Sequence, residues 1–317
     1  MKIAVIGPGA MGCLLAVSLC EENEVAVLDH RRERAALLNR QGLLLEEPGR
    51  SRVGRVNVTA DPQRLGPAEL VLLCVKSVGF QAALRNARLL CNRDSLLLAL
   101  QNGIGHLPLL AELPADTAWA VGVTSHGATL VGPGHVIHRG QGLTRIGAAP
   151  QLAAPPDQTR EKLVRAARVL TRAGIETELV DEILNEVWAK LLINIGINAL
   201  TVIHDCPNGA LLEIPDALAM MRAAIREGQQ VAEKSNIVLA GDPLKAAVEV
   251  CRATATNTSS MLQDVRHKRA TEIDAINGAL IRKGAALGVA VPVNRELTRQ
   301  IKEIEGSYRN SIANLIS

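Results

Sequence analysis

Residues 2–19 read KIAVIGPGAMGCLLAVSL, and the order of residue types in this stretch decides the fold of the first half of the chain. An apolar run rich in β-branched residues meets the turn Gly7-Pro8-Gly9-Ala10-Met11-Gly12, and an apolar pattern of helical period follows. This is strand, G-x-G-x-x-G, helix. Gly7 permits the tight turn, Gly9 lets the backbone approach a pyrophosphate, and Gly12 lets the helix pack close on the strand. The free N–H groups of the helix N-terminus then face the phosphates. The stretch predicts a dinucleotide site built from Gly7, Pro8, Gly9, Ala10, Met11 and Gly12.

Working outward, EVAVLD (24–29) reads as a second strand and HRRERAALLNRQG (30–42) as its helix. Asp29 falls at the strand end, where an acid hydrogen-bonds the adenosine ribose and favours NAD. Arg31 and Arg32 come next, and arginines there accept a 2′-phosphate and favour NADP. Both signals are present. The plainer alternative for the arginines is an exposed first helical turn, with Arg31, Arg32 and Arg34 set around Glu33 in water. LVLLCVKS (70–77) and SLLLALQNGIG (95–105) are nearly continuous in apolar residues, as parallel strands buried on both faces are. They deliver Lys76 and Asn102 to strand ends, where such sheets bind ligands. Between residues 119 and 149 the pattern alternates with Gly-rich turns, which predicts short strands finishing the sheet. His126, His135 and His138 fall there with no acid or nucleophile pattern close by in sequence, so a structural or surface role is expected of them.

Composition bounds the function. The chain has 317 residues, 48% hydrophobic and 21% charged, with Lys and Arg numbering 35 against 32 Asp and Glu. That describes an ordinary two-domain soluble protein. The balance of +3 is too small and dispersed to argue for nucleic acid, and Phe80, Trp119, Trp188 and Tyr308 offer no stacking platform for bases. Cysteines at 13, 20, 74, 91, 206 and 251 form no C-x-x-C pair and have no histidines at ligand spacing, so reduced core thiols and no metal are expected. The chain runs from MKIAVIG straight into a strand, and no uncharged apolar run reaches membrane-spanning length, so a cytoplasmic protein with no membrane partner is expected.

From about residue 157 the periodicity turns helical. DQTREKLVRAARVLTRAG (157–174) is amphipathic, with Gly174 placed as its stop, and IETELV (175–180) is a short strand. DEILNEVWAKLLINIGINALTVIH (181–204) is a long apolar helix, followed by expected helices near 215–235, 242–252, 259–287 and 293–305. Within the long helix, Lys190, Asn194 and Asn198 recur every fourth residue and form one stripe rising roughly 12 Å, while Trp188, Leu191, Leu192, Ile193, Ile195, Ile197 and Leu200 wrap the other faces. A stripe in bulk water is the ordinary reading of any one of these residues. Together, enclosed by apolar neighbours, they suggest a pocket for a polar ligand, because an unpartnered buried amide or ammonium costs roughly 1–3 kcal/mol or more. In NTSSMLQDVRHKRATEIDAING (257–278), Ser260-Met261-Leu262-Gln263 fits a capping box, and Glu272 is readable as a solvated helix charge.

The glycine loop, Lys76, Gln101-Asn102-Gly103, Trp188-x-Lys190 with Asn194 and Asn198, Ser259-Ser260-Met261-Leu262-Gln263-Asp264, and Thr271-Glu272-Ile273-Asp274-x-Ile276-Asn277-Gly278 together resemble the ketopantoate reductases over almost the whole chain. The serine and Thr-Glu-Ile-Asp blocks are specific; the glycine loop is shared with many dehydrogenases. The resemblance implies NADPH-dependent reduction of 2-dehydropantoate to (R)-pantoate, on the pantothenate route toward coenzyme A, by a monomer or homodimer. It implies Lys190 as general acid and Glu272 as a catalytic-site acid, Asn102, Asn194, Asn198 and Ser260 as substrate-binding, and Lys76, Asn102 and Glu272 as cofactor-binding; Arg31 is expected to bind the cofactor from its place just after the second strand. Where the family often places an arginine for the 2′-phosphate, this chain has Asp29 and His30, with Arg31 and Arg32 just beyond.

The expected fold is α/β: an N-terminal Rossmann-type doubly wound parallel sheet over residues 1–180, then a C-terminal all-helical domain over 181–317. Two other functions fit the same pattern. One is a related two-domain NAD(P)-dependent dehydrogenase of another keto or hydroxy acid, or of a polyol phosphate, although no clustered basic site for such a phosphate is evident in the second half. The other is a non-catalytic NADP(H) sensor, which leaves the Lys190 stripe without a role.

Overall fold

A computed structural model describes residues 1–150 and 157–316, with side chains up to Tyr308 at the C-terminal end. The chain forms two compact units, Met1–Gln101 with Leu107–Ile183, and Asn102–His106 with the chain from Leu184 onward.

The first unit holds, in chain order, β1 (Lys2–Ile6), α1 (Ala10–Leu19), β2 (Glu24–Leu28), α2 (Arg32–Gln41), β3 (Leu43–Glu47), β4 (Arg50–Gly54), β5 (Asn57–Thr59), β6 (Leu70–Leu73), α3 (Phe80–Leu89), β7 (Leu96–Ala99), α4 (Leu107–Ala111), β8 (Trp119–Thr124), β9 (Gly127–Gly132), β10 (His135–Gly140), β11 (Thr144–Gly147), α5 (Thr159–Arg172) and β12 (Thr177–Leu179). An eight-stranded sheet runs in the order β12-β11-β8-β7-β6-β1-β2-β5. From β8 to β5 all pairs are parallel, with Ile3 beside Val25 on one side and Leu70 on the other. At the far edge β11 turns antiparallel to β8 and carries β12 parallel to itself. The order steps outward from β1 in both directions, so the loop after β1 sits at the switch point, where such sheets bind ligands.

The strands expected between residues 119 and 149 form, but only β8 and β11 complete this sheet. β9 and β10 instead join β3 and β4 in a second, four-stranded sheet of order β4-β3-β10-β9. The cause is α1, which is buried along almost its whole length from Gly12 to Leu19. A helix apolar on every side needs a second cover besides its own sheet, and the small sheet supplies it. Gly54 of β4 approaches so closely that an added Cβ would lie 3.0 Å from Val17 Cγ2. Burial of Leu14, Leu15, Val17 and Leu19 contributes about 1.5–3 kcal/mol each.

The second unit is helical: α6 (Ile183–Ile203), α7 (Pro215–Lys234), α8 (Pro243–Ala253), α9 (Ser260–Arg266), α10 (Asn277–Ala286) and α11 (Pro292–Ile316). The most apolar 18-residue window of α6 has a mean hydropathy of 1.4, enough to cross a membrane, yet 67% of it is buried inside the fold. α7 covers one of its faces at close range. A Cβ on Gly196 would come 2.6 Å from Ile225 Cδ1, and one on Gly228 would come 2.3 Å from Leu192 Cδ2. At 100° per residue that face lies nearly opposite the Lys190, Asn194 and Asn198 stripe. The single helix expected over 259–287 is broken into α9 and α10, with Lys268 in the left-handed region at φ 52. Glu272 therefore stands on a loop, and the reading of it as a solvated helix charge is corrected.

Candidate active site

The glycine loop has the shape its spacing predicts. Gly7 takes φ +100, and a Cβ on Gly12 would lie 2.0 Å from the Gly7 carbonyl oxygen, so neither position admits a side chain. Gly9 differs: the nearest atom to an added Cβ is the Cys74 carbonyl oxygen at 3.9 Å, so its space is open. Gly9 also N-caps α1 without any side-chain cap. The first-turn N–H groups of Ala10, Met11 and Gly12 are thus left for an outside acceptor, and the loop fits a dinucleotide pyrophosphate. Pro8 is buried and Lys76 exposed, ahead of a short turn at Ser77–Gly79. Gln101 braces this region by donating Nε2 to the carbonyls of Leu73 and Val75 at 2.9 and 3.1 Å.

At the end of β2 the structure separates the two cofactor signals. Asp29 is fully covered, its side chain 0% exposed, and Arg34 binds both carboxylate oxygens. The Arg31 backbone N–H adds a third donor at 3.1 Å. Arg34 is therefore not part of an exposed arginine cluster around Glu33, and Asp29 is committed to the protein itself. Arg31 and Arg32 are exposed at the start of α2.

In the helical unit, Lys190 and Asn194 are half-buried and Asn198 is 6% exposed. Among the described residues neither side-chain amide has a hydrogen-bond partner. Burial pushes the Lys190 ammonium down from 10.5 to about 8, and the Glu272 carboxylate raises it against that effect. The same carboxylate accepts from Asn102 Nδ2 at 3.0 Å. The backbone explains the approach: Ile104 and Gly105 donate their N–H groups to the Ala275 carbonyl at 3.2 and 3.3 Å. Gly103, at φ +79, would place a Cβ 2.2 Å from that oxygen. An acid, an amide and an ammonium are so gathered on the helical unit that carries the Asn194 and Asn198 stripe, an arrangement suited to donating a proton to a polar, oxygen-rich ligand.

Ser260 is not the cap of its helix. Ser259 is, accepting the Leu262 N–H at 3.1 Å and meeting Thr201 Oγ1 of α6 at 2.6 Å. Ser260, the first helical residue, is exposed, its hydroxyl unused for capping. The histidines also differ from the reading of an acid-free setting, because the acids come from the distant β3. His135 Nε2 lies 2.7 Å from Glu46, while His126 Nδ1 meets His138 Nε2 at 3.0 Å and His138 faces Glu47 at 3.4 Å. Burial, then the neighbouring ring of His138, lowers the His126 pKa. His138 and Glu47 border a polar cleft of about 540 Å³, whose lining includes neither the glycine loop nor Asn102, Lys190, Asn194, Asn198, Ser260 or Glu272. Arg52 there is spent on Glu21 and Glu47, at 2.7 and 3.0 Å.

The family described as "Ketopantoate reductase PanE/ApbA" matches residues 3–151, and its C-terminal counterpart, "Ketopantoate reductase PanE/ApbA C terminal", matches residues 182–305. The chain belongs to the ketopantoate reductase family. A 2-dehydropantoate 2-reductase of Halobacterium salinarum is 36% identical over 305 residues, 95% of this chain and 98% of the relative. The crystal structure of a PanE/ApbA family ketopantoate reductase from Ralstonia eutropha JMP134 matches with a TM-score of 0.88 and 31% identity, over 98% of this chain and 100% of that one. A D-mandelate dehydrogenase in ternary complex with NADH and anilino(oxo)acetate matches with a TM-score of 0.87 and 28% identity, covering 97% of this chain and 99% of that chain. The Rossmann-type first half and helical second half are the family architecture.

Within this family member the structure adds residues that sequence patterning passed over. Arg34 was readable only as one of several arginines, because the i to i+5 pairing with Asp29 crosses a strand-to-helix turn. Thr201 and Glu305 carried no motif; nothing short of the fold brings them to Ser259 and Thr271.

Proposed function

We propose that this chain reduces 2-dehydropantoate to (R)-pantoate with NADPH, in the cytoplasm, on the route to pantothenate and coenzyme A. In this reading residues 1–180 form the dinucleotide-binding domain and residues 181–317 the substrate domain. The observation that carries it is Lys190: an ammonium that burial lowers to about 8 against the opposing pull of the Glu272 carboxylate, on one stripe with amides that have no partner among the described residues. The names of the relatives supply the substrate.

The bound reduced nicotinamide supplies the hydride. Lys190 donates a proton to the ketone oxygen as it becomes an alkoxide, and its positive charge stabilises the negative charge developing there. Arginine, with its far higher pKa, would hold its proton. Glu272 keeps Lys190 charged against desolvation and orients Asn102. Asn194, Asn198 and Ser260 bind the carboxylate and hydroxyl of the substrate through neutral donors and acceptors. Gly7 to Gly12 hold the pyrophosphate, and Arg31, with Lys76, Asn102 and Glu272, completes the cofactor contacts. Because Asp29 is occupied by Arg34, the exposed Arg31, with Arg32 beside it, is left to read the 2′ position, which favours NADPH.

A second reading, reduction of a different 2-keto acid with NADH, is favoured by the likeness to the D-mandelate dehydrogenase. Nicotinamide absorbance during incubation with 2-dehydropantoate, run with NADPH and NADH and repeated with Lys190→Ala, separates them. Turnover with NADPH that the substitution abolishes supports the first reading. Turnover only with other keto acids or with NADH supports the second. Nucleotide binding without turnover of any keto acid leaves a sensor.

A further inference from the structure

The loop between α9 and α10 carries Glu272, and α11 holds it at successive points. Tyr308 Oη donates to the Arg269 carbonyl at 2.7 Å. The Thr271 N–H donates to Glu305 Oε1, also at 2.7 Å. Lys302 Nζ pairs with Asp274, and reaches Glu305 Oε2 at 3.4 Å. Residues 302, 305 and 308 recur every third position, so they fall on one face of α11. Their contacts on the loop, at residues 269, 271 and 274, bracket Glu272 on both sides. Glu305 is the centre of the arrangement, with its carboxylate only 3% exposed. A buried carboxylate is costly unless its lone pairs are used, and here one oxygen receives a backbone N–H and the other an ammonium.

We propose that Glu305 is a positioning residue: with Lys302 and Tyr308 it clamps the loop over residues 269–274 so that the Glu272 carboxylate stays beside Lys190 and Asn102. This rests on the reading of Lys190 and Glu272 as the acid pair, but its signature is measurable without turnover. The loop has no regular secondary structure, and without the clamp its backbone regains freedom that Glu272 must then lose to reach Lys190. Losing the carboxylate from the side of Lys190 leaves desolvation unopposed, so the lysine titrates lower.

The test compares Glu305→Ala, Glu305→Gln and Tyr308→Phe with the parent protein. Lysine labelled with ¹³C at Cε is titrated by NMR in each, with Glu272→Gln as the reference for complete loss of the carboxylate. The Lys190 signal, assigned from Lys190→Ala, is expected to titrate below about 8 in Glu305→Ala, moving in the direction of the Glu272→Gln protein. Gln keeps the oxygen that accepts from Thr271, so Glu305→Gln should return most of the shift. Steady-state reduction should follow: kcat lower by about tenfold or more in Glu305→Ala and within about threefold in Glu305→Gln. A folded Glu305→Ala protein with an unmoved Lys190 titration overturns the clamp, as does an equal loss in the Ala and Gln variants. If Glu305→Ala does not fold, Tyr308→Phe decides: it deletes one hydrogen bond and should still lower the Lys190 titration, and no change overturns the proposal. A parent protein that reduces no keto acid counts against the proposed function and leaves the NMR comparison intact.

Discussion

The guanidinium of Arg34 closes over the carboxylate of Asp29, donating Nη2 to Oδ1 at 2.6 Å and Nε to Oδ2, and so occupies the acid that, in the proposed cofactor site, would face an unphosphorylated ribose. Burial with a bidentate partner makes this pair hard to open. Arg34→Ala should therefore release Asp29 toward the nucleotide, weakening NADPH and strengthening NADH, a change in their affinity ratio of about tenfold or more. Fluorescence titration of both nucleotides measures it without substrate. An unchanged ratio in a folded variant would mean that Asp29 does not face the ribose at all.

In the proposed reaction Lys190 must be protonated to act as the acid, so the reduction rate should fall as pH rises through about 8. Glu272 opposes the desolvation of Lys190, so Glu272→Gln should move this alkaline limb to lower pH and reduce kcat at neutral pH. The pH dependence of kcat for both proteins, with saturating cofactor and keto acid, gives the comparison. A limb that stays in place in Glu272→Gln removes the carboxylate from the electrostatics of the acid.

The same burial has a cost in stability. The folded Lys190 titrates near 8 against an ordinary value of 10.5, so its charged form is disfavoured by folding. That penalty is fully present below pH 8 and fades as pH rises toward 10.5. Lys190→Met removes the charge while keeping the apolar stem, and should stabilise the protein at pH 7 by about 1–3 kcal/mol while abolishing turnover. Urea unfolding at pH 7 and pH 10 should show the gain shrinking at the higher pH; a destabilised Lys190→Met protein at pH 7 would contradict the burial argument.

Legibility in the sequence followed the range of the interaction. Gly7, Gly9 and Gly12 were readable because a tight turn, an open backbone and a close packing are local demands on glycine. The Lys190 stripe was readable because a helix turns four-residue spacing into a face. What was not readable joins distant segments. The small sheet pairs β3 with β10, His135 finds Glu46 across that sheet, and the Thr271 N–H finds Glu305. The break between α9 and α10 was missed because apolar spacing runs through it, and only the left-handed backbone at Lys268 and the contacts from α11 end the helix there.

Asn198 is 6% exposed and its side-chain amide has no hydrogen-bond partner among the described residues, so a ligand that bonds it should gain more than a surface contact would. Asn198→Ala is expected to raise KM for the keto acid about tenfold while leaving cofactor affinity within a factor of two. Steady-state kinetics with calorimetry of nucleotide binding tests this. A larger loss of nucleotide than of keto-acid binding would take Asn198 out of the substrate pocket.

Adjacent serines should separate stability from binding. Ser259 caps α9 and meets Thr201, both through its hydroxyl, so Ser259→Ala should cost about 1–2 kcal/mol, a drop in Tm of roughly 2–8 °C. Ser260 is exposed and uncommitted, so Ser260→Ala should leave Tm within about 1 °C, as surface substitutions do, and raise KM for the keto acid severalfold. Thr201→Val should resemble Ser259→Ala in Tm, because it removes the same hydroxyl contact from the α6 side. Thermal unfolding and initial rates on the three variants suffice. A Tm loss in Ser260→Ala equal to that in Ser259→Ala would return the cap to Ser260 and leave the substrate role of that residue without its structural basis.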